Sequence, residues 1–532
     1  MRYPSRLSRL ALVAALAAGC STADDAGRPD DFVPPNASGD DVDGETYAPF
    51  TADSKADSLN LPDGPLKFDT ACDEGTTLTI AAVGDVLLHG RLQQQAYASD
   101  DGFISLWSGV HDLLKQADLT YANLEGPTAA GTNAYGQDAR DPGKTFDGTV
   151  YSSYPMFNYH PSLLDDLQAS GVDVVSTANN HSLDRRGLGA DRTIDALEAR
   201  GIAFTGTRKR GESQSDRPWY TITEAKGVRL AWLACTYGTN GIPDRDDQVL
   251  LCFRDEDTVV GLVKELSARS DIDGVIVTPH WGDEYHASPN SAQVKLGHRL
   301  LDSGAIALIG SHPHVNQPWE KHVTPDGRET FAIYSLGNFV SGQSHLPRRS
   351  TLLLYLGLTK RADGTLVVNG ARYVPLHMTR TATNITLQAI DRVGGLEDSR
   401  ALTVGMFHPF NVFPPEAPLR TNPQCDPSWT PPPSPHPHDG WIGGGCEADD
   451  VCGGALCLDN FAGGLCTERC ESTCPDRAGR ATTFCADLGF SDGGVCVARC
   501  ARDADCREGY ACKPASRPAD PDYVRSACVP IE

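Results

Sequence analysis

Residues 274–285 read Gly274-Val275-Ile276-Val277-Thr278-Pro279-His280-Trp281-Gly282-Asp283-Glu284-Tyr285, a run of apolar β-formers that stops in a cluster of reactive side chains. The run is short, β-branched and too continuously apolar to keep one face in water, so it reads as a central strand. The pattern recurs. Ile80–Val83 runs into Gly84-Asp85, Leu119–Ala122 into Asn123-Leu124-Glu125, and Val174–Ala178 into Asn179-Asn180-His181 with Asp184 close behind. Ile306–Ile309 runs into Gly310-Ser311-His312-Pro313-His314, and Phe331–Leu336 into Gly337-Asn338-Phe339. In α/β sheets ligands collect at the carboxyl ends of strands, which is where all six clusters fall.

Outward from these runs, strands are expected at Leu78–Val83, Leu119–Asn123, Val172–Ser176, Arg229–Ala234, Gly274–Thr278, Ala305–Ile309, Thr330–Tyr334 and Leu352–Leu358. Helices are expected at Ser105–Gln116, Pro161–Ser170, Gly189–Arg200, Thr258–Ala268 and Ser291–Asp302, the last with Ala292, Leu296 and Leu300 on one face. Such alternation predicts one large α/β domain over 72–424. The Pro-rich then Gly-rich stretch 425–445 reads as a linker, with His436 and His438 as solvated spacer residues, and 446–532 as a separate Cys-rich module. No repeat of solenoid length is evident.

The chain has 532 residues, 40% hydrophobic and 22% charged, which excludes wholesale disorder. Its 70 acidic against 46 basic residues give a formal charge of −24, a field that argues against nucleic-acid binding. The acidic excess is strongest from Ser21 to Thr70, and 21–71 reads as a solvated, disordered tether. Ahead of it, Arg2, Arg6 and Arg9 precede the apolar run Leu10–Ala18, the layout of a signal peptide over residues 1–20. Its end, Leu16-Ala17-Ala18-Gly19-Cys20, resembles a bacterial lipobox, which would lipidate Cys20 and anchor the chain at the cell envelope. The alternative is an ordinary secretory signal and a soluble secreted or periplasmic protein.

Either route exports the chain and makes disulfides the expected fate of the 16 cysteines other than Cys20. Twelve lie between Cys446 and Cys528, with spacings too irregular for a zinc ribbon. Their connectivity is not readable. For the other four, Cys235 with Cys252 and Cys72 with Cys425 is a hypothesis that would staple the ends of the α/β domain. The module reads either as a protein-binding unit or as a protease-resistant cap.

Carboxylate, amide and imidazole donors without a thiolate suit divalent Mn, Fe or Zn. Asp85, Glu125, Asn180, His280, His312 and His314 are enough to ligate two such ions, although any one of them alone could be a turn, cap or core residue. His160 and Asn338 could line the same cleft. No phosphate-cradling Walker loop and no Gly-x-Ser-x-Gly elbow is present.

Taken in order, Gly84-Asp85, Asn123-Leu124-Glu125, Asn179-Asn180-His181 with Asp184, His280-Trp281-Gly282 with Glu284-Tyr285, Gly310 with His312-Pro313-His314, and Ser335–Phe339 resemble the CapA-type poly-γ-glutamate capsule-synthesis proteins. The domain of that family is similar to the calcineurin-like metallophosphatases. The resemblance implies two mixed sheets packed face to face with helices outside, and two divalent metal ions at the strand ends. It makes Asp85, Asn180, His280, His312 and His314 metal ligands, Glu125 the bridging carboxylate, and His181, oriented by Asp184, the group that protonates the leaving oxygen. Arg91, Asn123, Trp281, Glu284, Tyr285 and Asn338 become candidates for substrate contact or support. One departure stands out: the superfamily's first block is Asp-x-His, whereas here it is Asp85-Val86-Leu87, so a ligand is missing unless His89 replaces it. The activity implied is hydrolysis of a phosphoester or a γ-glutamyl amide in the making or processing of an anionic cell-surface polymer. A non-catalytic assembly or binding factor on the same fold is the alternative.

Overall fold

The computed structural model describes Leu59, residues 65–427 and, within 441–531, all but 454, 477–481, 492 and 501–502. The expected signal sequence, Cys20 and most of the expected tether and linker lie outside the described residues. Strands form where β-branched and aromatic residues run together: β1 Thr76–Leu87, β2 Leu119–Leu124, β3 Val174–Ser176, β4 Ala203–Thr205, β5 Tyr220–Ala225, β6 Val228–Thr236 and β7 Gly274–His280. They continue as β8 Ala307–Ile309, β9 Asn316–Val323, β10 Glu329–Leu336, β11 Asn338–Ser341, β12 Ser350–Lys360, β13 Leu366–Arg380 and β14 Ile385–Ala389. All eight expected strands are present. The six others were hidden by mixed polarity, as in β9, or by brevity, as in β4.

The strands make two mixed sheets, one in the order β14-β13-β12-β1-β2-β3-β4 with β11 also pairing β1, the other β5-β6-β7-β8-β10-β9. Strand alternation distributes their side chains. Ile80 and Ala82 of β1 face the second sheet, in a layer with Tyr121, Leu354, Trp232, Ile276 and Ile333. Ala81 and Val83 face outward into a layer with the helix residues Leu92, Leu113 and Leu163. On the far side Val275 and Val277 pack under Val260, Val263, Leu296 and Leu300. The result is a helix–sheet–sheet–helix sandwich, in which Tyr121 and Trp232 stack across the sheets with centroids 5.7 Å apart.

The outer layers hold α1 Gly90–Ala98, α2 His111–Leu114, α3 Ser162–Ala169, α4 Arg186–Glu198, α5 Glu256–Ser267 and α6 Ser291–Asp302. Then come α7 Leu346–Arg349, α8 Ile390–Val393 and α9 Glu397–Phe407. Helix α6 starts and stops as expected, fixed by a capping box between Asn290 and Gln293. Its buried face carries Val294, Leu296 and Leu300, while Ala292 is exposed. The single helix expected over Ser105–Gln116 is instead a 3-10 turn, Gly102–Leu106, followed by the one-turn α2, broken near Gly109. Two expected boundaries also move. Leu66 and Phe68, read as tether, are buried between the sheets, and Trp441 and Ile442, read as linker, pack against cystines of the module. Among the described residues no helix is long and apolar enough to cross a membrane.

Cys72–Cys425 and Cys235–Cys252 are bridged. The module is built from three successive quartets of cysteine, each joined first to third and second to fourth: 446–457 with 452–466, 470–485 with 474–496, and 500–512 with 506–528. In every quartet the third and fourth cysteines sit opposite each other on antiparallel strands, Cys457 and Cys466, Cys485 and Cys496, Cys512 and Cys528. The module is therefore a threefold repeat, which the sequence reading missed because the intervals between cysteines differ from unit to unit.

Candidate metal centre

The parallel strands of both sheets deliver their polar tips to one place. Asp85 is in register with Asn123 on β2 and with Asn338 on β11. Gly84 allows this closeness, since a Cβ there would lie 1.8 Å from the Gly337 carbonyl oxygen, the group that accepts from the Asp85 N–H at 3.0 Å. Asn123 Nδ2 donates to Asp85 Oδ1 at 2.8 Å and lies 3.2 Å from His280 Nδ1, which joins the two sheets. His280 Nδ1 is also 3.0 Å from Ser311 Oγ, so Asn123 and Ser311 hold the ring from one side with Nε2 turned to the other. That Nε2 is 3.0 Å from Asn180 Oδ1.

His312 and His314 flank Pro313 with φ of +102° and +59°, a left-handed conformation that non-glycine residues keep only where the surroundings hold it. Part of the hold is Asn338, whose Nδ2 donates to the carbonyls of His314 and Arg348 and to Gln343. His314 Nδ1 is 3.0 Å from Asp85 Oδ2, and its Nε2 is 3.9 Å from Glu125 Oε1. From the other side His280 Nε2 is 3.7 Å from the same oxygen. Glu125 thus stands between two imidazoles, fully buried, with no hydrogen-bond partner for either oxygen. Ligand atoms of Asp85, Glu125 and His314 lie within 4.8 Å of one another. His312 adds a buried Nδ1 without a hydrogen-bond partner, its ring 4.8 Å from that of His280.

A buried carboxylate with no donor near it is costly unless a proton or a cation satisfies it. Burial, reinforced by the charges of Asp85, Glu284 and Asp184, pushes Glu125 well above the carboxylate range. Burial and the neighbouring imidazoles hold His280 and His312 well below their ordinary value, neutral and with lone pairs to offer. Burial pulls His314 down too, but its bond to Asp85 outweighs this and leaves it raised. Oxygen and imidazole donors, a carboxylate in want of a cation and no thiolate fit a divalent transition metal.

His181 stands beside this cluster. Its Nδ1 is 2.8 Å from Asp184 Oδ2, and that oxygen also accepts from the Phe157 N–H at 2.6 Å. The pair fixes the Nδ1–H tautomer and reserves Nε2 for proton transfer.

Other expected site residues are used differently. Trp281 belongs to the core: its indole donates to the Tyr334 carbonyl at 3.1 Å and lies in the layer under α5 and α6, on the side opposite His280. Arg91 donates to the carbonyls of Thr381 and Ala382, at the β13–β14 turn. Trp281 thus packs in the core, and Arg91 ties α1 to the β13–β14 turn. Asn123 and Asn338 support ligands, and His160 Nδ1 accepts from the N–H of Ser162 at the start of α3, as a cap. His89 Nδ1 accepts from Gly342 N–H at 3.1 Å, and its ring meets that of Phe157 edge-on with centroids 5.2 Å apart. Glu284 acts on Glu125 and His314 through its charge. Tyr285 receives Gln343 Nε2 at 3.3 Å, with the buried guanidinium of Arg348 3.4 Å over its ring.

Arg348 was not singled out from sequence, nor were Tyr237 and Asn240. The Tyr237 ring lies 4.4 Å from that of His312, and Asn240 Nδ2 is 3.5 Å from both ring nitrogens of His181. The strand-end rule would have found these two, since β6 ends at Thr236.

Residues 79–343, which include the whole cluster, match the family described as bacterial capsule synthesis protein PGA_cap. The capsule biosynthesis protein CapA of Bacillus anthracis is 26% identical over 328 residues, covering 60% of this chain and 72% of that one. The PGA biosynthesis protein CapA of Bacillus subtilis is 27% identical over 293 residues, 55% of this chain and 70% of that one. Among solved structures, a phosphatase from Mycoplasma pneumoniae is similar at 12% identity and a TM-score of 0.34, over 57% of this chain and 95% of that one. The NAD nucleotidase of Haemophilus influenzae is similar at 10% and 0.34, over 64% and 57%. Likeness at that level adds nothing to the reading of the site. The sequence match does: the α/β domain of this chain belongs to the bacterial capsule synthesis protein family.

Proposed function

We propose that this chain is an exported, envelope-anchored metal-dependent hydrolase that acts on a capsular or other cell-surface polymer such as poly-γ-glutamate. The observation that carries the reading is Glu125, buried and unpartnered between His280 and His314. Asn180, His280 and His312 would hold one divalent ion and Asp85 and His314 a second, with Glu125 between them. Such a pair supplies an acidified water and neutralises charge that builds on the scissile group. The chain's own residues do the rest. Asn123 and Ser311 orient His280, Asp85 orients His314, and Asp184 holds His181 so that its Nε2 can give a proton to the leaving oxygen or nitrogen. The bond cut is a phosphoester or a γ-glutamyl amide. Anchoring through Cys20 follows from the residues before it and is part of the proposal. The loss of histidine at Leu87 favours a second reading, a polymer-assembly or binding factor with an incomplete centre.

Elemental analysis of the purified chain separates the two. Near two transition-metal ions per chain are expected, falling in Glu125→Gln and His314→Ala. His181→Ala is expected to keep its metal and lose about 10²–10⁴-fold of turnover on phosphoester or γ-glutamyl substrates. No bound metal under replete conditions would sink the hydrolase reading and leave the binding factor.

A further inference from the structure

Helix α9 and the disulfide-rich module close on a recess of about 40 Å³, lined by Gly405 and Met406 from the helix and by Thr473, Arg499, Arg517 and Tyr523 from the module. None of the metal-centre residues reaches it. Arg499 donates through Nη1 to the Gly405 carbonyl, yet its buried Nε has no hydrogen-bond partner, and neither has the buried Nε of Arg517. The guanidinium of Arg517 stands 3.9 Å, and that of Arg525 4.5 Å, from the centroid of the Tyr523 ring. Burial alone would raise the Tyr523 phenol, but Arg525, Arg517 and Arg499 outweigh it and hold it below its ordinary value.

The acidic counterweight is small. Asp476, which acts on Arg499 by its charge, is tied to the Thr483 N–H at 2.7 Å and pushed up to about 6, chiefly by burial. Asp520 sits opposite Arg517 in the β-pairing register, and Arg400 is engaged with Asp391 at 2.7 Å. Among the described residues, three guanidiniums thus gather around Tyr523 and the recess against the carboxylates of Asp476 and Asp520, whose Oδ2 atoms are themselves buried without a hydrogen-bond partner. Buried guanidinium N–H groups without an acceptor are costly, and planar oxyanions satisfy them best. A water needs roughly 10–15 Å³ by this measure, so the recess admits an oxyanion head and little more.

We propose that this recess is an oxyanion site, separate from the metal centre, that takes a carboxylate or phosphate group between α9 and the module. The proposal does not depend on the hydrolase reading. The test is equilibrium binding to the full chain at low salt, with a γ-glutamyl oligomer and inorganic phosphate as the two probes. Wild type is expected to bind at least one. Arg517→Gln should weaken that binding about tenfold, as expected for a charged hydrogen bond, whereas Lys226→Gln, a cation paired with Asp118 outside the recess, should leave it unchanged. Binding of the oligomer assigns the carboxylates of an acidic polymer, and binding of phosphate alone assigns a small anion. Should Arg517→Gln fail to fold, Met406→Trp fills the recess from the helix side and is expected to abolish binding. No binding of either probe, or undiminished binding in these recess variants, overturns the site.

Discussion

The two-sheet domain and the disulfide-rich module answer the same physical demand by opposite means. Between β1 and α9 three apolar layers are stacked, and Leu, Ile and Val fill them. From Trp441 onward a small apolar cluster around Leu465, Phe484, Val495, Val497 and Tyr510 is supplemented by the cystines of Cys452, Cys466, Cys485 and Cys496. A segment of this length buries too little apolar area to fold well on that alone, and cross-links that restrict the unfolded chain make up the difference. The lesson is about which part of a sequence specifies structure. In the domain it is periodicity, which survives drift. In the module it is the order of the cysteines, which holds while most intervals between them change.

Reduction of the bridges under mild denaturant breaks this comparison most sharply. Each cystine is worth roughly 2–5 kcal/mol in a small domain, so losing all six should unfold the module outright. Hydrogen exchange resolved by residue should show protection lost over 441–531 while Ile80, Ile276 and Leu354 stay protected. A module that stays protected would refute the contrast. Next in size, Trp232→Ala removes the inter-sheet stack with Tyr121 and should cost the domain about 3–5 kcal/mol in urea denaturation, with the module's own transition unmoved. Smallest is Asp476→Asn. The folded pKa of Asp476, about 6, exceeds its ordinary value of 3.8, so its stabilising contribution is complete below 3.8 and is lost as pH rises through 6. Asp476→Asn should therefore raise the melting temperature at pH 8, by on the order of 3 kcal/mol in stability, and flatten its dependence between pH 4 and pH 8.

Legibility followed the same division. The strands that end in Asp85, Asn123, His280 and the residues before His312 were readable, because a buried parallel strand must be continuously apolar and its polar tip is then conspicuous. What the linear pattern could not give was the direction of each side chain. Alternation turns Trp281 away from the side His280 occupies and into the core, although the two are neighbours in the chain. Asn338 looked like a cleft residue and instead locks the carbonyl of His314. Arg348 has no polar strand tip of its own to announce it, and only the fold brings it over Tyr285.

The Cys72–Cys425 bridge has a consequence in mechanics. A pull applied between the residues that precede Cys72 and those that follow Cys425 enters at one cysteine and leaves at the other, through a single covalent bond. Once Leu66 and Phe68 are drawn off the sheets, the loop between the two cysteines, with both sheets and the candidate metal centre, hangs outside the load path. Tension that would peel β1 from β2 in an unbridged chain is shunted past the strand tips, so the constellation around Glu125 keeps its geometry while the chain on either side is stretched.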